Sequence, residues 1–554
     1  MNIKRSASRK AGTGESASLE YSGPKLTDNL QQTLENIVTE LGDAPDLKIR
    51  RVRLSGDRNV LAAAVHLSEL ADTTAVNEFV IGSLLDQTGE WNADTSASAD
   101  TLPELILSHA LNVGEAVLQE DWKEIMLAIL SGDTAILLEG YSVSIVCQTK
   151  GGESRQVSES TAQLVVRGSK DSFVESVATN VSLIRRRIKS SKLRLEYMQI
   201  GTVTRTHVAL MFIQETADAD QVDEVRRRLA KISIDGILES GYIEELIQDK
   251  TFTPFPTIYN TERPDVVAGN LLEGRIIVIV DGTPFVLILP AVFTQFFQSA
   301  EDYSQRFDIV ILMRLIRYIS FIVLILGPSI YVALTTYHYE MIPTTLLINL
   351  LAQRENVPFP AFVEAMLMEI TFEILREAGV RMPRVIGQTV SVVGALILGQ
   401  AVVEAGIITP IMVIVVALTG IASFAIPAYN LAIAGRIIRF GFTLLAGMFG
   451  FYGVTLGLIV LVAHMNSLRS FGIPYLFPFV PLSVKGQKDT ILRLPLWAMK
   501  PHRSPQEARE DRPAGTKVTS GHKENLAPQI RRKSDGDTAG GEVGQEGGWD
   551  ENKS

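Results

Sequence analysis

Four carboxylates stand out by the company they keep. Glu364, Glu369, Glu373 and Glu377 interrupt the strongly apolar run PFPAFVEAMLMEITFEILREAG (358–379). On a helix Glu369, Glu373 and Glu377 recur at i, i+4 and i+8 and line one stripe, with Glu364 on another face beside Thr371. Acids in or near a bilayer face a protein interior or a water-filled path, where they favour cations. Glu364, Glu369 and Glu373 are therefore candidate ion-path residues. A plainer arrangement competes with that one. Glu377 can pair with Arg381 one turn on, and the helix can lie in the interface with its acids in water.

Other chemistry is thinly represented. No GxxxxGK[ST], HExxH or GxSxG string occurs, and the seven histidines fall at no metal-ligand spacing. An S-x-x-K match at 520–523 lies in a tail too polar to hold a nucleophile and its base in register. Cys147 is the only cysteine, which excludes an internal disulfide, a thiolate zinc cluster and a CxxC redox pair. The net charge of −10 and the lack of basic-aromatic interleaving argue against nucleic acid as a partner. The arginine triplets at 185–187 and 226–228 read as solvated faces of charged helices. No catalytic residue, metal or cofactor is expected, and the chain is not expected to be an enzyme.

The elements that must hold the acids change character along the chain. Residues 1–25 are polar and aperiodic and are expected to form a disordered leader, with no apolar core of a cleavable signal peptide. Residues 26–265 are expected to form a soluble, cytosolic α/β or α+β domain. Stretches 59–67, 134–146 and 204–216 read as strands, and 74–85 and 223–232 as helices. Gly151-Gly152 and the polar run after them allow two lobes divided near 150–165; no fixed-period repeat stands out.

Residues 266–317 read as a broken, interfacial transition segment, because the apolar run 276–297 is interrupted by Asp281-Gly282, Pro284 and Pro290. From 318 to 482 an α-helical polytopic membrane domain with four to six transmembrane or re-entrant helices is expected. Stretches 318–337, 385–403, 406–428 and 440–463 are uncharged and long enough to cross a hydrocarbon core of about 30 Å. Gly394, Gly399, Gly450, Gly453 and Gly457 are candidate helix-packing positions, since glycine lets a neighbouring backbone approach. Residues 483–554 read as a basic juxtamembrane segment and a disordered tail.

Arginines near span ends mark the cytosolic side, but here they conflict. Arg306, Arg314 and Arg317, then Arg381 and Arg384, then Arg436 and Arg439 each vote for an inside end, as do Arg469 and Lys485 after the last span. Keeping the first three votes needs a return crossing within 342–380. It also leaves the C-terminus outside unless the proline-rich stretch 471–482 turns back through the membrane.

Several long strings resemble one family: GDTAILLEGY (132–141), VVRGSKDSFVESVATNVSLIRRRIK (165–189), DGILESGYIEELIQD (235–249), FTPFP (252–256) with TERPD (261–265), LLEGRIIVIVDGTPFVLILPAVFTQFFQSAEDY (271–303), the acid-bearing 358–379, VVALTGIASFAIPAYNLAIAGRIIRF (415–440) and LRSFGIPYLFPFVPL (468–482). Together they resemble the A subunit of GerA-type nutrient germinant receptors of endospore-forming bacteria, over about residues 50–500. The resemblance implies a multi-pass subunit of the spore inner membrane that works with a transporter-like B subunit and a lipoprotein C subunit. It implies a homo-oligomer in lipid around an ion-conducting pore, coupling nutrient sensing to ion release at the start of germination. A related branch acts with the dipicolinic-acid channel machinery instead. A secondary transporter and a membrane-anchored scaffold remain the alternatives.

Overall fold

The computed structural model describes residues 24–54, 60–86, 102–107, 114–151, 163, 165, 167–381, 399–483 and 486–498. The expected leader lies almost wholly outside these residues, as do most of the span expected at 385–403 and the chain beyond 498.

The N-terminal region is built twice to one plan. Lobe 1 runs α1 (Leu30–Leu41), β1 (Leu47–Arg53), β2 (Leu61–Leu67), a helical segment at 73–86, β3 (Ala116–Gln119), α2 (Trp122–Ser131), β4 (Thr134–Leu138) and β5 (Ser144–Cys147). Lobe 2 runs α3 (Val177–Arg187), β6 (Leu193–Ile200), β7 (Thr206–Ile213), α4 (Ala219–Ala230), α5 (Ser240–Ile247), β8 (Tyr259–Thr261), α6 (Pro264–Leu272), β9 (Ile276–Val280) and β10 (Val286–Leu289). The two five-stranded sheets have the orders β1-β2-β4-β5-β3 and β6-β7-β9-β10-β8, which are the same order when each lobe is counted from its own first strand. Every neighbouring pair is antiparallel. The class is therefore α+β.

Local chemistry starts the helices. Asn29, Asp121, Ser176 and Asp218 each accept a hydrogen bond from an amide of the first turn that has no intrahelical partner. Alternation then layers the sheets. In lobe 2, Ile277 and Ile279 face one core with α3 and α6, and Ile276, Val278 and Val280 face another with α4 and α5.

Covered on both faces, β9 and β10 are apolar at every position and wholly buried. Such continuous runs belong to buried strands as much as to membrane segments. Hence 276–289 is the middle of a sheet, correcting the expected interfacial segment at 266–317, and Asp281-Gly282 is its hairpin turn.

One arginine in each triplet is also corrected. Arg185 on α3 is 1% exposed and bonds Asp46, just before β1, at 2.6 Å. Arg228 is 9% exposed and is held by Glu224, Asp249 and the Ile247 carbonyl. Their counter-charges come mostly from other elements, which local charge patterning does not register.

The helical unit begins at Phe307, not at 318. It comprises α7 (Phe307–Thr336), α8 (Thr344–Arg354), α9 (Ala361–Arg381), α10 (Pro410–Phe424) and α11 (Tyr429–Ser467). α7 starts early because Arg314 and Arg317, which look like a boundary, lie inside the helix and are neutralised by buried Asp302 together with Asp489. Lobe 2 grips α7 through rings: Phe297 stacks on Tyr318 at 4.3 Å and Phe293 meets Phe321 at 5.7 Å. The ribbon 469–474 packs under the same lobe, where Ser470 Oγ donates to the Thr257 carbonyl and accepts from the Ala291 amide. Phe471, fully buried in the lobe 2 core, is thus no part of a re-entrant membrane segment.

α11 is a hairpin. At Gly450 the backbone takes φ 60° and ψ −141°, a conformation only glycine adopts freely. A Cβ added at Gly457 would lie 2.9 Å from both Leu445 Cδ1 and Phe442 Cε1, so arms 429–449 and 451–467 run antiparallel. Both arms end at lobe 2. His464 bonds Thr253 at 2.9 Å, and Arg436 shares a cavity with Tyr259 and Ser299. The far end of α7 meets the turn, where Tyr337 Oη donates to the Gly447 and Met448 carbonyls.

Candidate functional site

α9 crosses the helical unit and carries its acids from the far end toward lobe 2. Glu364, 1% exposed, accepts hydrogen bonds from the Thr409 amide at 3.1 Å and hydroxyl at 3.0 Å and faces Arg354 at 3.4 Å. That Thr409 hydroxyl lies 3.3 Å from Tyr331 Oη near the distal end of α7. One and a half turns on, Glu369 is fully buried, 3.5 Å from Arg439 Nε and 3.5 Å from Thr443 Oγ. Next, Glu373 collects three guanidinium groups: Arg436 at 3.0 Å, Arg376 at 3.2 Å and Arg439 at 3.4 Å. Arg376 in turn donates to Ser423 Oγ at the lobe-proximal end of α10. Glu377 pairs with Arg381 at 2.7 Å, both exposed, the plain i, i+4 arrangement.

The result is a ladder of acids and arginines through the helical unit, paired at loose distances. Glu364 Oε1, Glu369 Oε2, Arg354 Nη1, Arg376 Nε and Arg439 Nε are buried without a hydrogen-bond partner among the described residues. Buried charges require partners, and incompletely satisfied ones hold their arrangement weakly. The sequence pattern singled out the acids but missed Arg354, Arg376, Arg436, Arg439 and Thr409 as their partners. Arg436 and Arg439 drew notice only as side-of-membrane markers. The available signal was charge balance: arginines within otherwise apolar helices need anions there.

Among the candidate glycines, Gly453 lies against the Leu445 carbonyl and Gly457 against Phe442, both on the facing arm of the α11 hairpin. Gly450 makes the turn itself, with the Tyr337 and His338 side chains against it. Gly399 departs from expectation, since no atom among the described residues would approach a Cβ there within 4 Å. Gly394 lies outside the described residues.

Elsewhere, burial pushes the Cys147 thiol up to about 12, with Asp133 adding to it, so this cysteine stays protonated and inert. No group of three or more His, Cys, Asp or Glu side chains among the described residues is placed to hold a metal. α7 is long and apolar enough to cross a membrane, α11 is apolar as a whole across its hairpin, and α10 is a shorter apolar helix. Their outer faces expose Ile322, Ile414, Ile421 and Ile459, each more than half accessible. Polar ladder inside and apolar surface outside are the distribution a bilayer demands.

A duplicated α+β region joined to apolar helices with charges sequestered inside defines a membrane-associated, two-part protein. The chain belongs to the Bacillus/Clostridium GerA spore germination protein family, whose pattern matches residues 35–505. It is 49% identical over 475 residues to spore germination protein KA of Bacillus subtilis (strain 168), covering 86% of this chain and 85% of that protein. Spore germination protein GerLA of Bacillus cereus is 38% identical over 471 residues, covering 85% and 94% respectively. The crystal structure of the N-terminal domain of the A subunit of the Bacillus megaterium spore germinant receptor GerK3 aligns at 37% identity and a TM-score of 0.38, covering 49% of this chain and 99% of that one. The family resemblance carried by the sequence strings is therefore confirmed.

Proposed function

We propose that this chain is a non-enzymatic membrane subunit of a spore germinant receptor, and that it converts nutrient sensing into ion release as an oligomeric, cation-conducting subunit. The observation that carries this reading is the ladder of Glu364, Glu369 and Glu373 inside the helical unit. At rest each acid is neutralised by an arginine. Shifting α9 against α8 and α11 by one side-chain length exchanges those arginines for a permeant cation. The loose pairing keeps the two arrangements close in energy, as a gate requires.

The course of the helices supports a cytosolic position for both lobes in the spore inner membrane. α7 leaves lobe 2, α9 returns, and the α11 hairpin leaves and comes back, so Arg306, Arg381, Arg436 and Arg469 share one side. Among the described residues, this course is compatible with the arginine votes without a re-entrant loop. The transporter-like B subunit and the lipoprotein C subunit are the partners this reading assigns, with further copies of the chain in lipid.

The test is potassium release from germinating spores that carry Glu364→Gln, Glu369→Gln or Glu373→Gln at normal membrane abundance. At least one replacement is expected to change the rate of release several-fold, Glu369→Gln most, because its acid is fully buried. Unchanged release in all three variants would sink the pore assignment.

A further inference from the structure

Where lobe 2 meets the helices, a cavity of ≈ 330 Å³ opens between Tyr259 and Arg263 on one wall and Arg376, Tyr429 and Arg436 on the other, with Ser299 between them. The lobe wall is balanced. Arg263, 2% exposed, is held by Asp265 at 2.6 Å and by the Ser169 and Gln163 carbonyls.

The helical wall is not balanced. Among the described residues Arg376, Arg436 and Arg439 share only Glu369 and Glu373, so three cations face two anions. Arg376 gives Nη1 to Glu373 and Nη2 to Ser423, which leaves its buried Nε with no acceptor among the described residues. Its guanidinium is fixed in place over the Phe372 and Phe424 rings at 4.9 and 5.4 Å, and Arg436 lies 5.9 Å over Tyr429. A surplus buried charge, an unused donor and an adjoining space call for one ligand chemistry: a singly charged oxyanion. The aromatic and aliphatic remainder of the wall, Phe424 with Ile426 and Pro427, suits an apolar body attached to that anion.

We propose that this cavity binds a small organic monoanion, a carboxylate or phosphodiester carried on an apolar group, through Arg376 and Arg436. Bound there, the anion touches lobe 2 and the helices at once and fastens one to the other. Two sources share the chemistry: a soluble carboxylate and the headgroup of an anionic lipid.

Calorimetric titration of the full chain in neutral detergent with benzoate tests the first source. Hydrogen exchange of the full chain in phosphatidylglycerol against phosphatidylcholine nanodiscs tests the second, read at 259–266 and 423–436. Benzoate is expected to bind the wild type and to bind Arg376→Gln and Arg436→Gln at least tenfold more weakly, with Arg376→Lys in between because the charge remains but the stacked fork of donors is lost. Protection by phosphatidylglycerol that both Gln variants lose, without benzoate binding, assigns the site to lipid. Binding of neither probe, or equal binding by wild type and both Gln variants, overturns the proposal. None of these readouts depends on ion flux, so the site stands or falls separately from the pore.

Discussion

The two lobes share a frame down to single hydrogen bonds and differ in what holds them. In lobe 1, Glu139 at the end of β4 accepts from the Leu30 amide that opens α1, and the Gly140 amide donates to the Asp28 carbonyl. In lobe 2, Asp281 at the end of β9 accepts from the Val177 amide that opens α3, and the Gly282 amide donates to the Glu175 carbonyl. Both hairpin glycines have positive φ, 83° and 90°. The attachments are unlike. Lobe 2 continues from β10 straight into Phe293, Phe296 and Phe297, and its core is continuous with that of the helices. Lobe 1 joins lobe 2 across a polar seam: Arg185 on Asp46, Arg194 on the Glu40 carbonyl and Arg186 on the Gly151 carbonyl. The same fold thus occurs twice, once joined to the helices through a shared apolar core and once held to its neighbour by polar contacts.

Breaking the polar seam gives the largest effect. Arg185→Met strands Asp46, whose side chain is fully buried, and the loss of one partner from such a pair costs about 3–5 kcal/mol. Hydrogen exchange on the full chain is expected to show α1 and α2 opening early while α7 keeps its protection. Arg185→Met with Asp46→Leu should recover most of the loss, because no charge is then left unpaired. Equal loosening of α7 would erase the distinction between a polar and an apolar attachment.

Individual strands, helices and the acid stripe were legible in the sequence because each has a local period. The duplication was not, although its trace is present: SGDTAILLEGY (131–141) and EGRIIVIVDGT (273–283) align glycine on glycine and acid on acid. Repeats keep backbone angles and burial while side chains diverge, so two glycines and a carboxylate are nearly all that survives. β9 and β10 looked like membrane because burial on both faces removes the alternation that marks a strand. The ladder was half visible, since its acids recur on one helix while its arginines other than Arg376 arrive from α8 and α11. The α11 hairpin was hidden because one glycine makes the turn, with no polar residue or proline to mark it.

The shared frame predicts a smaller, symmetrical effect. Glu139→Ala and Asp281→Ala each free one amide at a helix start, and the loss of such a cap costs about 0.5–2 kcal/mol. Chemical denaturation of the full chain, followed by exchange at the first turn of α1 and of α3, measures both. Matching losses are expected if the two bonds do the same work. A loss at Asp281 several times that at Glu139 would instead show that attachment to the helices has changed what the frame bears.

The smallest effect should separate the lobes by sign. In lobe 2, burial lifts Glu244 to about 7. Its folded form binds a proton that the unfolded chain has released, so lobe 2 gains stability as pH falls from about 7 toward 4.5. In lobe 1, burial, then Lys48, lowers His66 below 6.5. Its unfolded form is the better proton acceptor, so lobe 1 loses stability as pH falls below 6.5. Glu69, at the seam, is raised by burial and then by Asp46, and a Glu69→Gln background removes that contribution. Acidification from pH 7.5 to 5.5 should then speed exchange in β2 and slow it in α5. Glu244→Gln should flatten the response of α5 alone, and His66→Leu that of β2 alone. Responses of one sign in both lobes would mean that these two groups are not what the lobes titrate.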